Sequence, residues 1–92
     1  MLSEQETREA VQEALDALPP ELAAELDGVA VIVEDRHPEG LMGIYDAIGG
    51  MKRIVIFREA NPTREEVRRT VLHEIGHHFG MDERRIRGLG YG

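Results

Sequence analysis

Three of the chain's four histidines lie within six residues, in the segment LHEIGHHFGMDE at positions 72–83. His73 and His77 are four residues apart, so on an α-helix they lie on one face, about 40° from each other. Two imidazoles at this spacing can bind one zinc ion, each at about 2.0–2.1 Å. The pattern H-E-x-x-H therefore predicts a Zn²⁺ site that uses His73 and His77 as ligands.

Glu74 lies about 100° round the helix from His73, beside the histidine pair. From there its carboxylate can reach a water on the metal more easily than the metal itself. Zinc lowers the pKa of a bound water from about 15.7 to about 7. A neighbouring carboxylate can accept the proton of that water and later deliver it to a leaving amine. Glu74 is therefore the predicted general base of a hydrolase, and the alternative is a solvated helix end that is merely rich in histidine.

A third ligand is expected after the helix ends at Gly80, where the chain can turn back toward the ion. Counted from the first histidine, the pattern extends to H-E-x-x-H-x-x-G-x-x-E, with Glu83 in the last position. Asp82 is the alternative third ligand, because it is also acidic and immediately precedes Glu83. If Asp82 is not a ligand, it is a suitable N-cap for a last short helix.

The elements that must position these residues follow from periodicity, caps and turns. Ser3 and Glu6 form a capping box, as do Thr63 and Glu66, and Gly80 is a natural C-cap. The predicted elements are a helix from residue 4 to the Pro19-Pro20 pair, a helical turn at 21–26, strands at 29–34, 41–45 and 53–57, a helix at 64–79 and a short C-terminal helix carrying Ile86 and Leu89. This order predicts an α+β fold with a small three-stranded sheet packed on the long helix that carries the histidines.

Composition limits the classes of function. The chain has 92 residues and is expected to form one domain, residues 1–92. It has no cysteine, so no thiolate can bind a metal, and no apolar run approaches the roughly 20 residues that cross a bilayer. The net charge of −7 disfavours nucleic acid as a partner. A cytoplasmic protein is expected, since the acidic N-terminal segment lacks the features of a signal peptide.

With these motifs, the chain resembles the zincin metallopeptidases, and among them a family of small bacterial zincin-like proteins. The segments that carry the resemblance are ALDALPPELAAELDGVAVIVED, GLMGIY, RIVIF and, most specifically, EEVRRTVLHEIGHHFGMDERRIRGLGYG. The resemblance implies a minimal zincin fold, with zinc held by His73, His77 and an acid after Gly80. The family usually has aspartate where this chain has Glu83. The segment between Tyr45 and Arg53 is also short for the family, and the methionine turn of larger zincins is not identifiable.

Other side chains are candidates for supporting roles. His78 could hydrogen-bond Glu74 or stabilise an oxyanion, and its alternative is a partly exposed surface residue. Tyr45 and Tyr91 are candidate donors to a tetrahedral intermediate, with strand packing as the alternative for Tyr45. Thr70, one turn before the motif, could support the surroundings of a ligand histidine, although no pattern indicates it.

The function predicted from these residues is zinc-dependent hydrolysis of peptide bonds, with a peptide or protein substrate laid against an exposed sheet edge. The alternative is a catalytically silent zincin-like domain that binds a metal or another protein. A metal-dependent ribonuclease is a more distant alternative, because the expected third ligand is acidic rather than a histidine. A homodimer is compatible with a domain of this size that carries an open site.

Overall fold

The structure is a computed structural model that describes residues 1–80 together with Arg84 and Gly88. Its helices and strands are α1 (Glu4–Asp16), α2 (Pro20–Glu25), β1 (Ala30–Glu34), β2 (Gly43–Asp46), β3 (Arg53–Phe57) and α3 (Arg64–His78), with 3₁₀ turns at Ile48–Gly50 and Arg58–Ala60. The predicted α+β class and the three-stranded sheet are confirmed. The predicted short C-terminal helix lies outside the described residues.

Helix α1 begins with the predicted capping box. The hydroxyl of Ser3 accepts a hydrogen bond from the Glu6 amide at 3.0 Å, and the Glu6 carboxylate accepts one from the Ser3 amide at 3.0 Å. These two bonds satisfy donors that the first turn of a helix leaves without partners. The helix then buries one face, formed by Thr7, Ala10, Val11 and Ala14.

The sheet has the strand order β1-β3-β2, so β3 is central. β1 pairs parallel with β3, with Ile32 opposite Val55, and β2 pairs antiparallel with β3, with Ile44 opposite Val55. The chain therefore passes from β1 to the far edge before it returns to the centre. In the described part of the chain, β2 pairs on one side alone and leaves its other edge open.

The core lies between the sheet and the two long helices. Ile54 and Ile56 of β3 are fully buried, as are Val67, Val71 and Ile75 of α3. Burying a side chain of this type contributes about 1.5–3 kcal/mol relative to leaving it exposed. The apolar face of α3 is thus fixed against the sheet and α1, and this leaves the orientation of its other face little freedom.

Both ends of α3 carry specific caps. The Glu66 amide donates to the Thr63 hydroxyl at 3.1 Å. This is half of the predicted second capping box, and the reciprocal bond from the Glu66 side chain is not formed. At the other end, Gly80 has a φ of +67°, which confirms the predicted left-handed residue after the helix.

Ion pairs on the surface connect α3 to α1. Arg64 lies 3.2 Å from Glu9 and 3.3 Å from Glu13, and Arg68 lies 2.9 Å from Glu13. Exposed pairs of this kind contribute at most about 1 kcal/mol each. The guanidinium groups of Arg64 and Arg68 are nevertheless paired with carboxylates of α1.

Among the described residues, no helix combines the length and the apolar character needed to span a membrane.

Candidate metal centre

One face of α3 packs in the core, and the histidines of the motif lie outside that face. Val71, Leu72 and Ile75 are at most 1% exposed and pack in the core. His73 is half-buried and the side chain of His77 is 57% exposed. The helix therefore buries one face in the core and leaves the two imidazoles of His73 and His77 accessible.

One cavity collects the residues that the motif singled out. It has a volume of about 360 Å³ and is lined by His73, Glu74 and His77 from α3, with Thr70 one turn earlier on the same helix. Among the described residues, its other lining residues are Met42 and Gly43, where the edge strand β2 begins. The two predicted histidine ligands and the predicted base therefore share one cavity beside a sheet edge.

Glu74 is held in a partly desolvated position. The residue is 7% exposed, and one carboxylate oxygen, Oε1, lies 3.4 Å from Nδ1 of His77. Burial raises the pKa of Glu74, and the neighbouring His77 and His73 act in the opposite direction. A buried carboxylate is stabilised by a positive charge nearby, so this site is suited to holding a cation against Glu74 and the two imidazoles.

His78 points to a different partner from the one expected. Its Nδ1 lies 3.0 Å from the hydroxyl oxygen of Tyr45, and the two rings meet edge to face with centroids 5.4 Å apart. The alternative of a partly exposed residue agrees with the half-buried position of His78, and the imidazole that contacts the carboxylate of Glu74 is that of His77. The hydroxyl of Tyr45 is likewise engaged with His78, and Tyr45 does not line the cavity.

The donor set can be compared with what zinc requires. A catalytic zinc site commonly uses three protein ligands and leaves one position open. Within residues 1–80, Arg84 and Gly88, no group of three histidine, aspartate or glutamate side chains is placed to hold a metal ion. His73 and His77 fit as two imidazole ligands on one cavity wall. The predicted third ligand, Glu83 or Asp82, lies outside the described residues, as does Tyr91.

The sequence did not identify three residues at or beside the cavity, namely Met42, Gly43 and Asn61. Gly43 lies in the cavity wall, and Asn61 is fully buried against the start of β2. A glycine inside a predicted strand is a signal for close approach of another part of the chain. Asn61, which precedes Pro62, gave only the signal of a turn before a helix.

Comparison with known families was consistent with this geometry. Residues 49–91 match the model of a family described as zincin-like metallopeptidase. The resemblance to the zincin-like metallopeptidases is confirmed. No curated protein matches the chain significantly.

The zincin-like match covers somewhat less than half of the chain. It includes β3, all of α3 and the segment with Asp82, Glu83 and Tyr91. It does not include β2, so the zincin-like segment contributes the histidine wall of the cavity and the preceding sequence contributes Met42 and Gly43.

Proposed function

We propose that this protein is a zinc-dependent peptidase that hydrolyses peptide bonds in a peptide or protein substrate. The observation that carries the proposal is the shared cavity, in which His73, Glu74 and His77 lie opposite the start of an open sheet edge. The match to zincin-like metallopeptidases supports the same reaction class.

His73 and His77 would hold the zinc ion together with Glu83, or with Asp82 if that acid takes the third position. The two imidazoles follow from helical spacing, and the acid follows from the sequence register after Gly80. When bound, zinc supplies a Lewis acid that polarises a carbonyl group and makes a water easier to deprotonate.

Glu74 is proposed to move the proton. Its carboxylate is fixed by burial and by the 3.4 Å contact with His77. In the proposed reaction Glu74 accepts a proton from the attacking water at a carboxylate oxygen. It then delivers this proton to the amine nitrogen that leaves when the peptide bond breaks, so the carboxylate is regenerated.

The open edge of β2 is the proposed guide for the substrate. An edge strand presents backbone amides and carbonyls without partners, and an extended peptide can pair with them. Because Met42 and Gly43 line the cavity at the start of this strand, a peptide paired along β2 passes beside Glu74. The strand contributes backbone hydrogen bonds, which recognise extended peptides with little dependence on side chains.

The test measures bound zinc and cleavage of a quenched peptide library for the native chain and three variants. Glu74→Ala is expected to keep zinc and to lose at least about 100-fold in cleavage, which is the usual contribution of a general base. His73→Ala is expected to lose both. Glu65→Ala, which removes an exposed glutamate from the same helix, is the matched control and keeps both.

Each outcome bears on a separate part of the proposal. If the native chain binds stoichiometric zinc but cleaves no peptide in a broad library, the proposed peptidase function is contradicted. That result favours a silent metal-binding domain. Failure to bind zinc after reconstitution contradicts the metal site itself. Equal loss of cleavage in Glu65→Ala and Glu74→Ala contradicts the role of Glu74.

A further inference from the structure

Asn61 connects three elements of the fold from a fully buried position. Its side-chain amide donates to the carbonyl of Met42 at 3.0 Å and to the carbonyl of Phe57 at 2.8 Å. Its side-chain oxygen accepts a hydrogen bond from the hydroxyl of Thr70 at 2.5 Å. Both amide hydrogens are therefore used, and a flipped amide would turn its oxygen toward two carbonyl oxygens. The start of β2, the end of β3 and the middle of α3 are tied together through one side chain.

Thr70 places this connection next to the candidate metal centre. It is 5% exposed and precedes Glu74 by one helical turn, on the wall of the same cavity. Its hydroxyl bonds Asn61, and its methyl group faces the strand. Thr70 therefore bonds the side chain of Asn61 and also lines the cavity that contains Glu74.

Gly43 allows the backbone of β2 to lie directly on this surface. A Cβ atom at Gly43 would come within 2.8 Å of the Thr70 methyl, 3.1 Å of the Val55 carbonyl oxygen and 3.2 Å of Cγ of Glu74. No ordinary side chain fits in that space without movement of the strand or of the helix. Close packing at Gly43 thus prevents β2 from moving toward Glu74. The hydrogen bonds of Asn61 to Met42 and Thr70 prevent it from moving away.

We propose that Asn61 and Thr70 are positioning residues that hold the start of β2 at a fixed distance from Glu74. The inference rests on the proposed peptidase function, since that distance matters when a peptide pairs with β2. A peptide paired with the strand takes its position from the strand backbone, whereas the proton acceptor is on the helix. A displacement of about 1 Å between reacting groups can reduce a rate by about 100-fold. The network therefore sets the alignment of the substrate with the carboxylate without touching the substrate.

The experiment compares Thr70→Val with Thr70→Ser and with Thr7→Val. Valine keeps the shape of threonine and removes the hydroxyl that Asn61 requires, whereas serine keeps the hydroxyl. Thr7 is the matched control because it is a fully buried threonine of α1 whose hydroxyl donates to the Ser3 carbonyl, and it does not line the cavity. Three quantities are measured on each full chain: the melting temperature, kcat and KM for one cleaved peptide, and the amide exchange rates of Phe57 and Ala14.

The Phe57 amide reports on the strand directly, because it donates to the same Met42 carbonyl at 3.0 Å. In Thr70→Val we expect kcat to fall about 10- to 100-fold with KM within about threefold of the native value. Exchange at Phe57 should rise at least about tenfold more than exchange at Ala14 in α1. Thr70→Ser should restore most of kcat, and Thr7→Val should keep the native kcat and alter both amides by one common factor.

Several results overturn the inference. A native kcat in Thr70→Val does so, as does an equal loss of kcat in Thr7→Val, since the effect would then follow stability alone. Uniform acceleration of exchange in Thr70→Val also contradicts a local role. If the native chain cleaves no peptide, the proposed function fails, and the positioning role is then decided by the exchange of Phe57 against Ala14.

Gly43→Ala provides a second route if Thr70→Val does not fold. The added methyl group would push β2 away from Thr70, so kcat should fall and Phe57 exchange should rise. Combining it with Thr70→Ser removes the methyl group that lies 2.8 Å from the new Cβ and should recover part of both losses. A double variant no better than Gly43→Ala alone would contradict the proposed contact.

Discussion

The hydroxyl of Tyr45 on β2 and Nδ1 of His78 on α3 lie 3.0 Å apart. This hydrogen bond connects the edge strand to the last turn of the helix that carries His73 and His77. The three histidines of α3 thus differ in their surroundings, because His78 contacts the strand whereas His73 and His77 line the cavity. Strand β2 and helix α3 are therefore in contact at two places, at Gly43 with Thr70 and at Tyr45 with His78.

Removing the hydroxyl of Tyr45 should affect stability rather than chemistry. Tyr45→Phe keeps the ring against His78 and loses one hydrogen bond, which usually contributes about 0.5–1.5 kcal/mol. The melting temperature should fall by about 4–8 °C for each kcal/mol in a domain of this size. Zinc content and kcat should stay within about threefold of native. A loss of about 100-fold in kcat, with zinc and fold intact, would instead identify Tyr45 as a donor to the reacting carbonyl.

The three histidines should differ in their effect on zinc. His73→Ala and His77→Ala are expected to abolish stoichiometric binding, whereas His78→Ala should keep it. The physical reason is the orientation of the side chains, since His78 contacts Tyr45 and Phe79 rather than the cavity. Zinc content after dialysis, measured by elemental analysis, checks the prediction. Loss of zinc from folded His78→Ala would contradict it.

The third ligand can be assigned by exchanging each acid for its amide. Glu83→Gln is expected to weaken zinc binding by more than about 100-fold, because replacing a ligand costs more than the roughly 10- to 100-fold lost when a residue supporting a ligand is changed. Asp82→Asn is the matched control and should bind zinc with nearly native affinity. Competition with a coloured chelator measures both affinities. The reverse order of the two variants would assign the site to Asp82.

The sequence predicted those parts of the site that depend on local spacing. Helical spacing alone placed His73 and His77 together on one face of α3. The left-handed Gly80 followed from its position after the last periodic residue. In each case the deciding interaction lies within one or two turns of the helix.

The sequence did not predict what lies across the cavity from the helix. Asn61 and Met42 are 19 residues apart, and Tyr45 and His78 are 33 residues apart. Their contacts depend on the strand order β1-β3-β2, and nothing in the spacing of apolar residues specifies which strand is central. For the same reason the sequence offered Glu74, a neighbour on the helix, as one possible partner of His78, whereas its partner Tyr45 is on another element.

The capping box of α1 predicts a specific dependence of stability on pH. The Ser3 backbone amide, followed by the Ser3 hydroxyl, lowers the pKa of Glu6 below its ordinary value of 4.5. A lowered pKa in the folded state means that the charged group stabilises the fold above pH 4.5 and that this stabilisation disappears as the pH falls through the folded-state pKa. Glu6→Gln should therefore be less stable than the native chain at pH 7, and the difference should vanish at low pH.

Urea unfolding at several pH values between 7 and 2 measures this difference for Glu6→Gln. Glu25→Gln, which changes an exposed glutamate of α2, is the control for the loss of one surface carboxylate. A Glu6→Gln difference that stays constant across the range would show that the charge of Glu6 does not strengthen the cap.

The left-handed conformation of Gly80 should couple stability to zinc affinity. Gly80 has a φ of +67°, and no atom of the described residues lies within 4 Å of an added Cβ. Gly80→Ala is therefore expected to cost the backbone preference, about 1–2 kcal/mol. In the sequence, Gly80 lies between the two imidazoles on α3 and the acid that are proposed as zinc ligands. A change of backbone conformation at Gly80 should therefore redirect the chain that carries this acid, and zinc affinity should fall along with stability.

Gly40→Ala separates the two effects. Gly40 has a φ of +74° and equally open surroundings, but it lies in the loop before β2, outside the segment that would supply a ligand. Both variants should lower the melting temperature by similar amounts, whereas only Gly80→Ala should weaken zinc binding when measured by calorimetry. Equal zinc affinities in the two variants would mean that the turn after α3 does not set the position of the third ligand. In that case the third ligand would reach the metal whatever the backbone conformation of Gly80.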